Sequence, residues 1–223
     1  MYSLDDFDFD LPEDLIALRP VRPRQASRML VANSNIVDRN VSDLPDLLNA
    51  GDLLVFNNTK VIPARLSGKR FRETPHGTGL SNIEVNLIER ISSDTWLSLA
   101  KPAKRLKVGD VIRFSELIAH VVGKNAGEIT LQFEQSGEEL DRAIESIGEM
   151  PLPPYIASKR PADARDRRDY QTVFASRSGA VAAPTASLHF DKDLLARLDL
   201  KGVKSTEVTL HVGAGTFLPV KVD

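Results

Sequence analysis

Residues suited to proton transfer near neutral pH are scarce in this chain, which has four histidines and no cysteine. Two of the four stand beside runs of small residues. In the first run, Ser178-Gly179-Ala180-Val181-Ala182-Ala183-Pro184-Thr185-Ala186-Ser187, every residue but Val181 is small or proline, and Leu188-His189-Phe190 follows directly. Small side chains let a backbone approach a ligand or another segment closely. His189 also lies just before an expected helix start, where free N–H groups favour anions. Taken alone, the stretch reads more readily as a tightly packed loop with a hydrogen-bonded histidine. The second run, Thr209-Leu210-His211-Val212-Gly213-Ala214-Gly215-Thr216-Phe217, puts a histidine at the end of an apolar strand. Ligands of α/β domains gather at such strand ends. Gly213-Ala214-Gly215 looks like the start of a dinucleotide loop, but Leu218 replaces the third glycine and Pro219 blocks the helix. His76 and His120 lie alone, no His-Glu-x-x-His occurs, and no metal is expected.

Two polar stretches leave two readings each. Lys101-Pro102-Ala103-Lys104-Arg105-Leu106-Lys107 carries four cations. It is either a solvated turn with edge-protecting charge or a phosphate contact. Asn57-Asn58-Thr59-Lys60 is a turn or a polar shelf for a ligand. Arg65 is ordinarily an ion-pair partner.

The elements that must position these residues follow from pattern. Pro12-Glu13-Asp14 opens a helix carrying Leu15, Ile16 and Leu18, and Pro20 stops it. Met29–Val31 is a short strand. Ser42 caps a helix with Leu44, Leu47 and Leu48 on one stripe. Leu53–Phe56 reads as a strand covered on both faces. Between them, 83–91, 95–100, 111–114, 117–122 and 129–133 are short strands in series, the pattern of a small antiparallel barrel. Arg72–Ser81, with Pro75, Gly77 and Gly79, reads as a long hairpin loop. Helices are expected over 138–148 and 193–200, and a strand over 206–212. The fold class is therefore α/β, a mixed sheet with flanking helices, with a small antiparallel β-barrel inserted. Residues 1–62 and 152–223 form the main domain and 63–151 the barrel.

Composition bounds the rest. The chain has 223 residues and a formal net charge of −2. Basic and acidic side chains number six against ten over 1–62, twelve against thirteen over 63–151 and eleven against eight over 152–223. This is not the strongly basic balance of a general nucleic-acid binder. Without cysteine there is no disulfide scaffold, thiolate metal site or cysteine nucleophile. No apolar run spans a membrane and the acidic start lacks a signal-peptide pattern, so a cytoplasmic protein is expected.

Several motifs then act together. Asn57-Asn58-Thr59-Lys60-Val61-Ile62-Pro63-Ala64-Arg65-Leu66, the Lys101–Lys107 run, Gly148-Glu149-Met150-Pro151-Leu152-Pro153-Pro154-Tyr155-Ile156, Tyr170-Gln171-Thr172-Val173-Phe174-Ala175, the Val181–Phe190 run and Thr209–Phe217 occur in one order along nearly the whole chain. In this the chain resembles the S-adenosylmethionine:tRNA ribosyltransferase-isomerases of queuosine biosynthesis. It departs from them at Ala180 and at Ser187, where the family has serine and glycine. Family members are expected to run beyond Asp223 with a further His- and Glu-containing motif, so the chain reads as C-terminally truncated.

The resemblance implies a reaction. The ribosyl part of S-adenosylmethionine moves onto 7-aminomethyl-7-deazaguanine in tRNA and isomerises to give epoxyqueuosine, releasing adenine and methionine. S-Adenosylmethionine is a consumed substrate, with no separate cofactor. The sulfonium acidifies the neighbouring carbon, so one of His189 and His211 is expected to act as base while the other positions or protonates a leaving group. Asn57, Asn58, Arg65, Pro184, Thr185, Gly213, Gly215 and Thr216 are the implied substrate contacts. Lys101, Lys104, Arg105 and Lys107 are the implied tRNA contacts. A non-catalytic remnant that binds RNA through the barrel is the alternative, and a dinucleotide oxidoreductase a distant third.

Overall fold

A computed structural model describes residues 3–74, 77–125 and 127–217. His76, Leu218 and Pro219 therefore lie outside the described residues. The chain begins with short 3₁₀ turns, including Glu13–Leu15 and Arg24–Ala26. Strands β1 (Arg28–Ala32) and β2 (Ile36–Asn40) form an antiparallel hairpin. Helix α1 (Leu44–Leu47) follows a 3₁₀ turn and leads into β3 (Leu53–Asn57) and β4 (Thr59–Val61).

The barrel strands come next: β5 (Arg65–Thr74), β6 (Gly77–Arg90), β7 (Thr95–Lys101), β8 (Val111–Phe114), β9 (Leu117–Asn125) and β10 (Glu128–Phe133). They close in the order β10-β7-β6-β5-β8-β9, every pair antiparallel. Alternation explains the closure, since inward and outward residues alternate along every barrel strand. Ile83, Val85 and Leu87 of β6, Ile112 and Phe114 of β8, and Ile129, Leu131 and Phe133 of β10 are buried in one core. Helix α2 (Gly137–Ile147) adds Leu140 and Ile144, one turn apart, to the same core.

The described part of the segment expected as a hairpin loop, 72–74 and 77–81, is instead strand. Arg72 pairs with Gly79, Phe71 with Leu80 and Arg70 with Ser81, so β5 and β6 extend as a long ribbon. Phe71 and Leu80 lie opposite each other, the cross-strand pairing that stabilises such a ribbon despite its glycines.

The chain's way into and out of the barrel lie side by side. The Arg65 N–H donates to the Glu149 carbonyl at 3.1 Å, and the Glu149 N–H donates back at 2.9 Å. Gly148 is held by close approach: a Cβ there would lie 2.0 Å from the Pro63 carbonyl oxygen.

After the barrel come α3 (Pro154–Ala157), α4 (Asp166–Asp169), β11 (Arg177–Ala180), α5 (Lys192–Leu200) and β12 (Lys204–Val208). β11 pairs parallel with β4, and β12 parallel with β3. The strands outside the barrel thus stand as three two-stranded pairs flanked by helices, an α/β arrangement into which the barrel is inserted. Asp191 caps α5, its carboxylate accepting the Leu194 N–H at 3.0 Å. Leu194 and Leu198 of α5 pack with Val41, Val203 and the half-buried Leu54.

Four local expectations change. Ser42 lies inside the Val41–Asp43 turn and does not cap α1, and β12 ends at Val208, so His211 is not at a strand end. The stretch after Pro12 forms only the Glu13–Leu15 turn, because Leu15 is 68% exposed and the short stripe has no surface to pack on. β3 is covered on one face only, since Leu53 and Val55 are each 57% exposed while Phe56 is buried.

Candidate functional site

The cleft that receives His189 is built around Arg24. This side chain is buried, and its guanidinium donates to the carbonyls of Arg168 (2.6 Å), Gln171 (2.8 Å) and Leu188 (3.2 Å). It therefore ties the first turns of the chain to α4 and to the residue before His189. Burial and the neighbouring Arg22 charge push this guanidinium below its ordinary value.

A charged cluster closes one side. Asp166 is fully buried and accepts from Arg19 at 2.8 Å and from Arg160 at 2.7 and 2.9 Å. Burial pushes the Asp166 carboxyl up, but the Arg160 hydrogen bonds, the Asp163 N–H and the charges of Arg160 and Arg19 outweigh it, so the net movement is down. The Arg165 hydrogen bond chiefly holds the nearby Asp163 carboxyl at about 2. Asp169 accepts from Arg22 and Arg19.

Between these groups opens a cleft of about 720 Å³. Leu15, Leu18, Tyr155 and Tyr170 give it apolar walls, and Arg19, Arg28 and Arg160 give it cationic ones. Thr185, Leu188 and His189 line it from the small-residue run. His189 is exposed, and its Nδ1 lies 3.1 Å from the Ser27 hydroxyl.

His211 stands elsewhere. Its Nδ1 lies 2.7 Å from the Thr59 hydroxyl, and its ring lies against Gly179. Gly179 has a φ of +147°, and a Cβ on it would come within 2.7 Å of the imidazole, so glycine provides both the backbone conformation and the space. His211 does not line the His189 cleft. The structure links the two through one peptide run: Val181 and Ala182 N–H groups donate to the Val212 carbonyl, and the same run continues through Pro184 and Thr185 to His189.

Asn57 and Asn58 hold the end of β12 and the irregular segment after it that carries His211. The Asn57 amide donates to the Leu210 carbonyl at 2.8 Å, and its oxygen accepts the Leu210 N–H at 3.1 Å. The Asn58 amide donates to Glu207 at 2.9 Å and accepts from Thr209 at 2.7 Å. Gly213 is exposed, and Gly215 and Thr216 lie in the Ala214–Phe217 turn beyond it. Arg65 sits apart, at the start of the barrel, paired with Glu84 at 3.0 Å.

The cationic loop occupies the barrel. Leu106 is fully buried and anchors it, while Lys124 donates to the carbonyls of Ala103 and Leu106, and Arg70 and Arg72 donate to that of Arg105. The side chains of Lys101, Lys104, Arg105 and Lys107 are all exposed, and among the described residues none makes an ion pair.

Sequence reasoning missed Arg24, Ser27, Arg19, Arg160 and Asp166. The available signal was the alternation Arg19-Pro20-Val21-Arg22-Pro23-Arg24, a basic, proline-broken stretch with no acid within it. Such cations, when buried, need acceptors from elsewhere in the chain.

Comparison with known proteins bears on this arrangement. The S-adenosylmethionine:tRNA ribosyltransferase-isomerase of Roseobacter denitrificans is 57% identical over 99% of this chain and 64% of its own length. The protein of that name from Methylobacterium radiotolerans is 58% identical over 99% of this chain and 62% of its own. A solved structure of S-adenosylmethionine tRNA ribosyltransferase from Thermotoga maritima is 32% identical, covering 93% of this chain and 58% of that one, with a TM-score of 0.36. The chain thus spans less than two thirds of the length of these relatives. Among the described residues, no helix is long and apolar enough to cross a membrane. The family model described as queuosine biosynthesis protein matches residues 4–223, and the chain belongs to that family.

Proposed function

We propose that this chain is a cytoplasmic enzyme acting in the transfer and isomerisation of the ribosyl group of S-adenosylmethionine onto 7-aminomethyl-7-deazaguanine in tRNA. Epoxyqueuosine forms while adenine and methionine leave. S-Adenosylmethionine is consumed as substrate and no further cofactor takes part.

The observation that carries this reading is the His189 cleft. Its tyrosines offer faces for an adenine ring, and Arg28, whose only ion pair among the described residues is the exposed one with Asp38, offers a partner for a carboxylate, the two ends of S-adenosylmethionine. His189 accepts the proton from the carbon beside the sulfonium, and the electron pair stays on that carbon, stabilised by the positive sulfur. Pro184 and Thr185 carry the peptide past the substrate. His211, with Gly213, Gly215 and Thr216 after it, lies outside this cleft and acts through the Val181–Ala182 backbone that the Val212 carbonyl holds. Asn57 and Asn58 act through the segment after β12 that they hold, and Arg65 acts where the barrel begins.

The barrel, over 63–151, is the tRNA-facing module. Lys101, Lys104, Arg105 and Lys107 have no internal ion-pair partner among the described residues, and phosphate contacts of this kind position a nucleic acid without reading its sequence. The same loop supports the second reading, an RNA-binding protein without catalysis.

Incubation with S-adenosylmethionine and tRNA carrying 7-aminomethyl-7-deazaguanine, followed for free adenine, separates the two. Adenine release that is lost in His189→Gln supports the enzyme. tRNA binding without adenine release supports the second reading.

A further inference from the structure

A serine hydroxyl has one proton to give, and Ser27 has two neighbours that could take it, the Arg24 carbonyl and the His189 Nδ1. The Ser27 Oγ–H donates to the Arg24 carbonyl at 2.9 Å, an oxygen that can only accept. The same carbonyl takes the Ser27 N–H at 3.2 Å. What remains on Oγ is lone-pair capacity, and the imidazole Nδ1 of His189 lies 3.1 Å from it. With the hydroxyl proton directed at the Arg24 carbonyl, the shorter of its two contacts, Nδ1 is the donor.

We infer that Ser27 is a positioning residue that fixes neutral His189 as its Nδ1–H tautomer, leaving Nε2 unprotonated. The inference rests on the reading of His189 as the base, and it specifies which nitrogen does the work. In a neutral imidazole one nitrogen is a donor and the other an acceptor, and the hydrogen bond made by one sets the role of the other. Among the described residues Nε2 has no partner. When Nε2 gains a proton, the Nδ1–H to Ser27 bond and the Ser27 to Arg24 bond both persist unchanged. No hydroxyl has to turn at the moment of transfer, which is the advantage of a preorganised site.

Arg24 makes the arrangement rigid from both sides. Its carbonyl orients the Ser27 hydroxyl, while its guanidinium holds the carbonyl of Leu188, the residue before His189. Two points of one buried residue thus locate both members of the Ser27–His189 pair, which are 162 positions apart in sequence. The opposite tautomer would require the hydroxyl to leave the Arg24 carbonyl and point at Nδ1.

The test is an imidazole ¹⁵N spectrum of the whole chain in buffer alkaline enough to keep histidine neutral. With four histidines, His189 is assigned by the signal lost in His189→Gln. The expected wild-type pattern is a protonated Nδ1 and an unprotonated Nε2. Ser27→Ala should lose that pattern and show mixed tautomers, whereas Ser27→Thr, which retains the hydroxyl, should keep it. A wild-type ring protonated at Nε2, or a Ser27→Ala spectrum identical to wild type, overturns the inference. Its fate is separable from that of the base assignment. If the spectra match and His189→Gln still releases adenine at the full rate, the base assignment falls and the Ser27 inference stands. If His189→Gln abolishes release but wild-type Nε2 is protonated, the reverse holds.

Discussion

Arg160 grips the buried carboxylate of Asp166 with both of its terminal nitrogens, at 2.9 and 2.7 Å. The pair joins the stretch after α3 to α4, and Arg19 reaches the same carboxylate from the other end of the chain. Removing one partner of a buried pair leaves a charge without compensation, at a cost of about 3–5 kcal/mol. Because Arg19 still pairs with Asp166, Arg160→Ala is expected to cost less than this, about 1.5–3 kcal/mol of unfolding free energy measured in urea. A surface ion pair such as Arg28–Asp38, with both side chains mostly exposed, should cost under about 1 kcal/mol when Arg28 is replaced by alanine.

The same cluster sets an acid limit. Folding holds the Asp166 carboxyl below its ordinary value and Asp163 at about 2. A carboxyl depressed in the folded state adds stability that is fully present above the unfolded value, about 4, and disappears as pH falls through the folded value. Urea unfolding between pH 3 and 7 should show stability level above about pH 5 and falling below about pH 4. Asp166→Asn should flatten that fall while lowering stability at neutral pH.

Gly179→Ala probes the His211 side. The new methyl would meet the imidazole in a backbone conformation with φ of +147°. The strain should cost about 1–3 kcal/mol. The ring should also move off Thr59, seen as a changed His211 imidazole resonance and a lowered melting temperature.

Lys101→Ala with Lys104→Ala tests the barrel loop. Neither side chain is used internally among the described residues, so the fold should be unaffected. Affinity for tRNA should fall, and the slope of log K against log salt should shrink by about 2, close to one per lost phosphate contact. An unchanged slope would remove these residues from the interface.

His189→Gln should reduce adenine release by at least about a hundredfold, the low end of what a positioned acid or base contributes. Its melting temperature should stay near wild type because the side chain is exposed.

Much of the barrel was legible in sequence because its strands alternate: Ile83, Val85 and Leu87 all fall on the buried face. β5 was not, because Lys69-Arg70-Phe71-Arg72 carries mostly polar residues on a ribbon that runs out beyond the core. Helix α5 was legible for the opposite reason, as its buried Leu194 and Leu198 lie one turn apart within the expected 193–200. Of the candidate site, the two histidines and their small-residue runs stood out by type. Arg24 and Ser27 did not, since what they bind are main-chain oxygens and a ring about 150 positions distant. Asn57 and Asn58 looked like a ligand shelf because a side chain that pairs with distant backbone has no local pattern.

Because Arg65 and Glu149 are bonded to each other, the whole six-stranded unit begins and finishes at one spot. Joining those two points with a brief linker would demand little loop-closure entropy, so the unit has the geometry of an interchangeable cassette. A donor cassette with similarly spaced termini could be grafted there, since no residue lining the His189 cleft falls between those two points.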